Sequence, residues 1–128
     1  MSIFKKMTRI LKKEINFLYV IDSPACVEYF NDVYDMLEKN DRLHVLALHN
    51  PRDLESKSLF EMLRSLSIDL PKVKSFRIVE CNISLARVYA NEIKKQCKNE
   101  DINVIIIPKK RPQVYERVSS LNIPIITV

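Results

Sequence analysis

INVIIIPKKRPQVYERVSSLNIPIITV, residues Ile102 to Val128, is the stretch whose reading decides the fold. Val104–Ile107 and Ile123–Val128 are short, continuous apolar runs rich in β-branched residues. Such runs mark strands covered on both faces, as in a parallel sheet. Between them, Val114, Tyr115, Val118 and Leu121 fall at helical spacing. The segment therefore reads as strand, loop, short helix, strand. Its loop, Pro108-Lys109-Lys110-Arg111-Pro112, lies where an open α/β sheet receives its ligands. It holds no glycine, and the chain as a whole has none.

Working back from that segment, the same alternation recurs. Phe17–Ile21 predicts the first strand. Ser23 and Pro24 are placed to start a helix, as cap and first residue. Its apolar stripe is Cys26, Tyr29, Phe30, Val33, Tyr34 and Leu37, and it ends near Asn40. Leu43–Leu48 predicts the second strand, broken by His49-Asn50-Pro51, with His49 an exposed loop residue and His44 packed within the strand. Asp53 or Ser58 opens a helix with Leu59, Phe60, Leu63 and Leu66 inward. After a variable stretch from Ser67 to Lys74, Ser75–Val79 predicts the third strand. Ser84 caps a long helix that buries Leu85, Ala86, Tyr89, Ala90, Ile93 and Cys97. Asn103–Ile107 is the fourth strand and Ile123–Val128 the fifth. Continuous apolar strands joined by helices predict a parallel sheet between two helical layers.

The chain has 128 residues, the size of one domain. Its formal charge is +5 and no apolar run approaches the ~20 residues of a membrane span. The excess positive charge is partly local: Lys5, Lys6, Arg9, Lys12 and Lys13 at one end, Lys109 to Arg111 at the other. Residues 1–15 space Ile3, Phe4, Met7, Ile10, Leu11 and Ile15 as a basic amphipathic helix, an arm preceding a domain of residues 16–128. Without a long apolar core this arm does not read as a secretory signal. Cys26, Cys81 and Cys97 are odd in number and widely spaced. They read as reduced core thiols of a cytoplasmic protein, not as disulfides or zinc ligands.

Three places in the sequence carry a resemblance. Val20-Ile21-Asp22-Ser23-Pro24 is similar to the hydrophobic-Val-Asp-Gly-Ser that ends the first strand of universal stress proteins, with Ser23 in the glycine's place. Leu43-His44-Val45-Leu46 is similar to their second strand. Val114-Tyr115-Glu116-Arg117-Val118 followed by Asn122–Val128 is similar to their closing helix and Pro-Val-hydrophobic strand. The chain thus resembles the universal stress protein family, a group within the adenine-nucleotide-binding, α-hydrolase-like α/β domains. The resemblance spans about residues 16–128. It implies a Rossmann-like sheet ordered 3-2-1-4-5 and a stress-response role. It implies homodimers that pair their last strands, here Ile123, Ile125, Ile126, Thr127 and Val128. It also implies ATP or AMP at the ends of strands one and four, where Asp22, Ser23, Leu48, Lys109, Lys110, Arg111 and Gln113 stand.

The departure from that family is as informative. Its phosphate loop reads Gly-x2-Gly-x9-Gly-Ser/Thr; here Pro108 and Pro112-Gln113 replace its ends and about a dozen residues are missing. Phosphate cradles use glycine because backbone N–H groups must converge with no Cβ in the way. Each proline also removes an N–H. What remains is the side-chain charge of Lys109, Lys110 and Arg111, which either clamps a phosphate or is solvated. The resemblance implies that Asp22 contacts a ribose or metal; the alternative is that it helps Ser23 to cap the following helix. By the resemblance, Asn50 and His49 would lie near the family's adenine-side wall. No Gly-x-Ser-x-Gly, Walker, paired-carboxylate or zinc-ligand pattern occurs.

The leading expectation is a non-catalytic, dimeric regulatory or interaction protein with a degenerate nucleotide site, an unidentified protein partner and no cofactor of its own. One alternative is an ATP- or AMP-binding stress protein using Asp22 and residues 109–111. The last is nucleic-acid or membrane-surface binding through the basic arm.

Overall fold

The computed structural model describes residues 14–52, 61–63, 66 and 70–127. Strands β1 (Ile15–Ile21), β2 (Asp41–His49), β3 (Val73–Glu80), β4 (Val104–Ile106) and β5 (Ile125–Ile126) form one sheet in the order β3-β2-β1-β4-β5. Every pairing is parallel. The expected α/β architecture and strand order are therefore what the structure has. Strand ends differ: β1 starts two residues earlier than Phe17, and β3 is longer at both ends than Ser75–Val79. The pairing of β5 is limited to Ile125 and Ile126 against β4. The basic arm up to residue 13, Asp53, Ser58, Leu59, Phe60 and Val128 lie outside the described residues.

The period-two geometry of strands sorts the core into two layers. Tyr19 and Ile21 of β1 and Leu43, Val45 and Ala47 of β2 face helices α1 (Pro24–Glu28) and α2 (Phe30–Met36), together with Leu63. Leu18, Val20, Leu46, Leu48, Ile105 and Ile107 face α3 (Ala86–Asn99) and α4 (Pro112–Val118). From Leu18 to Ile21, β1 has no solvent exposure on either side. Each such side chain contributes about 1.5–3 kcal/mol of gross burial energy, which makes β1 the axis of the fold.

Helix starts and stops show where local signals were overridden. Ser23 does sit at an extended N-cap with Pro24 next, but it makes no side-chain cap bond. Its hydroxyl instead lies 3.4 Å from Cys26 Sγ. The expected single helix is two, broken at Tyr29. At that break the Cys26 carbonyl accepts the buried hydroxyl of Tyr19. Leu85, not Ser84, is the N-cap of α3; the Ser84 N–H and hydroxyl both donate to Asn82 Oδ1. His49 belongs to β2 and is buried, which corrects its reading as an exposed loop residue.

One polar ladder crosses the amino-terminal end of the sheet. Asn103 N–H donates to the Asn16 carbonyl, and Asn16 N–H donates to Asn103 Oδ1, both at 2.8 Å. Asn16 Oδ1 lies 3.0 Å from His44 Nε2, and His44 Nδ1 lies 2.7 Å from Ser75 Oγ. The β2–β3 register shifts between Leu43 and His44, passing over Lys74, so that Ser75 stands beside the imidazole. With Asn16 Oδ1 accepting, Nε2 carries the proton and Nδ1 accepts from the serine hydroxyl. Burial, helped by Lys74, lowers the His44 pKa, while Glu100 and Glu14 partly offset it.

The folded state therefore holds His44 neutral, whereas an unfolded histidine titrates near ~6.5. Below that pH the unfolded chain binds more protons, so stability falls as pH drops from about 6.5 towards the folded pKa. Urea unfolding at pH 7.5 and 5.5 checks this. The wild type should lose more stability on acidification than His44→Gln; equal losses would refute the assignment.

Candidate functional site

The carboxyl ends of β1 and β4 open on one crevice. Asp22 follows β1 directly, and Pro108 to Arg111 lead from β4 into α4. A cleft of about 480 Å³ lies there, lined by Ser23, Pro24, Ala25, Cys26, Tyr29, Pro108, Lys109 and Lys110. Beside it, a depression of about 370 Å³ is lined by Ile83, Ser84, Ala86 and the run from Lys110 to Val114. Lys110 is common to both.

Asp22 is at the centre of this region and is 5% exposed. Its Oδ2 accepts from Arg111 Nε at 2.5 Å and from the Tyr89 hydroxyl at 2.7 Å. Its Oδ1 accepts from Cys26 Sγ at 3.4 Å. The Arg111 guanidinium also lies over the Tyr89 ring, 5.3 Å from its centroid. Three side chains, from α1, α3 and the β4–α4 loop, thus meet on the one carboxylate at the end of β1. The carboxylate pairs with an arginine from the β4–α4 loop and makes no helix-cap bond, so the capping alternative for Asp22 is not what the structure has.

The electrostatics follow from burial and that single charge. Burial raises the Tyr89 pKa strongly, and the adjacent Asp22 carboxylate raises it further, so the phenol stays protonated and donates. Burial pushes the Cys26 thiol up as well. For Arg111, burial opposes the charged form, but Asp22 beside it outweighs that and the net direction is upward. Cys81 and Cys97 are pushed up to about 11, mainly by burial, so neither is a ready thiolate.

The remaining candidates divide by place. Lys109 and Lys110 are exposed at the rim. Neither forms an ion pair among the described residues. Gln113 lines the smaller depression. Leu48 has no exposure and packs in the α3–α4 layer, away from solvent. Asn50 lines a third depression of about 310 Å³ with Pro51, Arg52, Glu80, Cys81 and Asn82. At the sheet edge, Ile123 and Ile125 are half-buried and Ile126 and Thr127 exposed. The described residues contain no group of three or more potential metal ligands. No described helix is long and apolar enough to cross a membrane.

Tyr89 and Cys26 were legible only as core positions of helices. A buried tyrosine does carry a signal, since its hydroxyl needs a partner. Which partner it takes depends on the crossover that brings α3 against the end of β1. Compared with family models, curated proteins and solved structures, the chain matches none.

Removing Arg111 alone leaves Asp22 buried without its counter-charge. Arg111→Gln should cost about 2–3 kcal/mol, somewhat below the ~3–5 of fully buried pairs because the arginine side chain keeps 24% exposure. Asp22→Asn combined with Arg111→Gln should recover part of that loss. Denaturant midpoints of the two single variants and the double variant give the coupling; strict additivity would refute the pairing.

Proposed function

We propose that the chain is a universal-stress-protein-like domain that acts as a non-catalytic, dimeric regulatory or interaction protein, its nucleotide crevice closed by its own side chains. The Asp22–Arg111 pair carries this reading. The acid and the arginine that would serve a nucleotide neutralise each other, and Tyr89 takes a further acceptor position on the same oxygen. Pro108 and Pro112 remove two N–H groups from the loop where a backbone cradle would form. The parallel order β3-β2-β1-β4-β5 agrees with what the resemblance implies.

The dimeric part of the reading is supported by the last strand. β5 pairs with β4 on one side, and Ile126 is 48% exposed. A sheet edge with unpaired backbone groups is a template for a second copy. Light scattering on the eluting protein should give twice the chain mass of 15.0 kDa, and Ile126→Asp should shift it towards monomer. A strict monomer over a wide concentration range sinks this part.

A second reading, an ATP or AMP binder, is favoured by the cleft of about 480 Å³ beneath Lys109 and Lys110. Calorimetry with ATP and Mg²⁺ separates the two. The leading reading expects no heat at millimolar nucleotide. Binding that is lost in Lys109→Ala with Lys110→Ala replaces it with the second.

A further inference from the structure

We propose that Asp22 holds a latent anion site shut: its carboxylate occupies the Arg111 guanidinium that, together with Lys109 and Lys110, is placed to grip a phosphate chain. This rests on the reading of the crevice as closed by its own side chains, and names the group that closes it and the ligand class it excludes.

The crevice gathers three cations, Lys109, Lys110 and Arg111, around one carboxylate. The carboxylate is satisfied, with Arg111, Tyr89 and Cys26 as its donors. The two lysines have no ion-pair partner among the described residues, so the local excess is two positive charges. A carboxylate is the protein's own version of a phosphate oxygen pair, and arginine recognises both in the same planar, charge-assisted way.

Geometry then says where a ligand would enter. Arg111 is not sealed in; its side chain is 24% exposed while that of Asp22 is 1% exposed. Open depressions of about 480 and 370 Å³ flank the loop, and Lys110 borders both. An anion in the larger depression meets Lys109 and Lys110, and one in the smaller meets Lys110 and Arg111. Asp22 holds Nε and offsets the guanidinium charge, so a phosphate gains the full attraction of Arg111 only by displacing that carboxylate. The Tyr89 ring, its centroid 5.3 Å from the guanidinium carbon, adds a cation–π contact that holds Arg111 beside Asp22.

Two prolines bracket the loop, and the Tyr115 hydroxyl donates to the Lys109 carbonyl at 3.2 Å. The loop is thereby stiffened, so the competition is between side chains and not between loop shapes. An internal carboxylate competitor lowers the apparent affinity by the fraction of time Arg111 is free. In the wild type that tax is permanent, since the competitor cannot diffuse away.

The experiment is isothermal titration of the full chain with inorganic tripolyphosphate at fixed ionic strength, in three forms: wild type, Asp22→Asn, and Asp22→Asn with Arg111→Gln. Asp22→Asn keeps an acceptor for Tyr89 and Arg111 but removes the charge. It should bind at least about tenfold tighter than wild type, the double variant losing the gain. A folded Asp22→Asn that binds no better than wild type overturns the proposal. So does a gain that survives in the double variant. ATP run in parallel separates a free phosphate chain from a nucleotide: similar gains support the phosphate site, and a gain confined to ATP overturns it. Should Asp22→Asn fail to fold, the wild-type Arg111 Nε–H resonance decides. It should move on addition of tens of millimolar tripolyphosphate, and an unmoved resonance overturns the proposal. Wild-type nucleotide calorimetry tests the closed-crevice reading; the ratio between variant and wild type tests this one.

Discussion

A chain without glycine must make every turn with a Cβ attached, and this constraint governs both ends of the sheet. Among the described residues a positive φ occurs once, at Asn122, with φ 55°. Asparagine is the residue that tolerates this region at least cost apart from glycine. There it closes the 3₁₀ turn Ser119–Leu121 and turns the chain towards Pro124 and β5. Elsewhere turns are built with φ below zero, using Pro24, Pro51, Pro108 and Pro112 and the side-chain turn of Asn82. A nest of converging N–H groups cannot form from such turns without strain.

The crevice therefore depends on side chains where a glycine loop would use backbone. Asp22, Tyr89, Cys26 and Arg111 join the end of β1 to α3, α1 and the β4–α4 loop. Removing two charges from water is costly, and their attraction repays it only with good geometry and satisfied lone pairs. Both conditions hold here: a charge-assisted contact at 2.5 Å, a phenol on the same oxygen and a thiol on the other. The net stabilisation is accordingly small, and the greater effect is on position. A neutral replacement of similar shape would fold with little penalty, but it would not fix the loop against β1 or set the polarity of the crevice.

Legibility in the sequence followed the range of the interaction. Two-sided burial is written locally, so Phe17–Ile21, Leu43–Leu48 and Asn103–Ile107 could be placed as inner strands from composition alone, and the α/β class with them. Edges were harder. Ser75–Val79 understated β3 because an edge strand alternates weakly, with Lys74 and Arg77 exposed in it. Ile123–Val128 overstated β5, since its apolar run continues past the two residues that find partners on β4. Caps were misplaced for a related reason. Ser84 satisfies the preference for a cap, yet Asn82 holds its hydroxyl at 2.5 Å, and Leu85 is left to start α3. At the site, Asp22 and Arg111 were each visible as candidates. Their pairing was not, because 89 residues separate them and only the β1–β4 adjacency brings them together.

The two ends of the sheet answer one problem in opposite ways. Strands buried on both faces could slide by two residues and still present apolar side chains to both layers, so burial alone specifies register weakly. At the amino-terminal end a neutral ladder from Asn103 through Asn16 and His44 to Ser75 pins four strands or their approaches. A slip anywhere would leave buried donors or acceptors unpaired, each costing about 1–3 kcal/mol. The irregularity passing over Lys74 is part of that device: with unbroken pairing an ammonium would stand where the serine hydroxyl stands, next to an imidazole that must stay neutral. At the carboxyl-terminal end the pinning is ionic, and an ion pair responds to other ions where a neutral ladder does not. The end that holds the register is therefore poorly suited to sense a charged ligand. The end built from Asp22, Arg111 and two lysines that have no ion-pair partner among the described residues is the one whose contacts an anion can compete for.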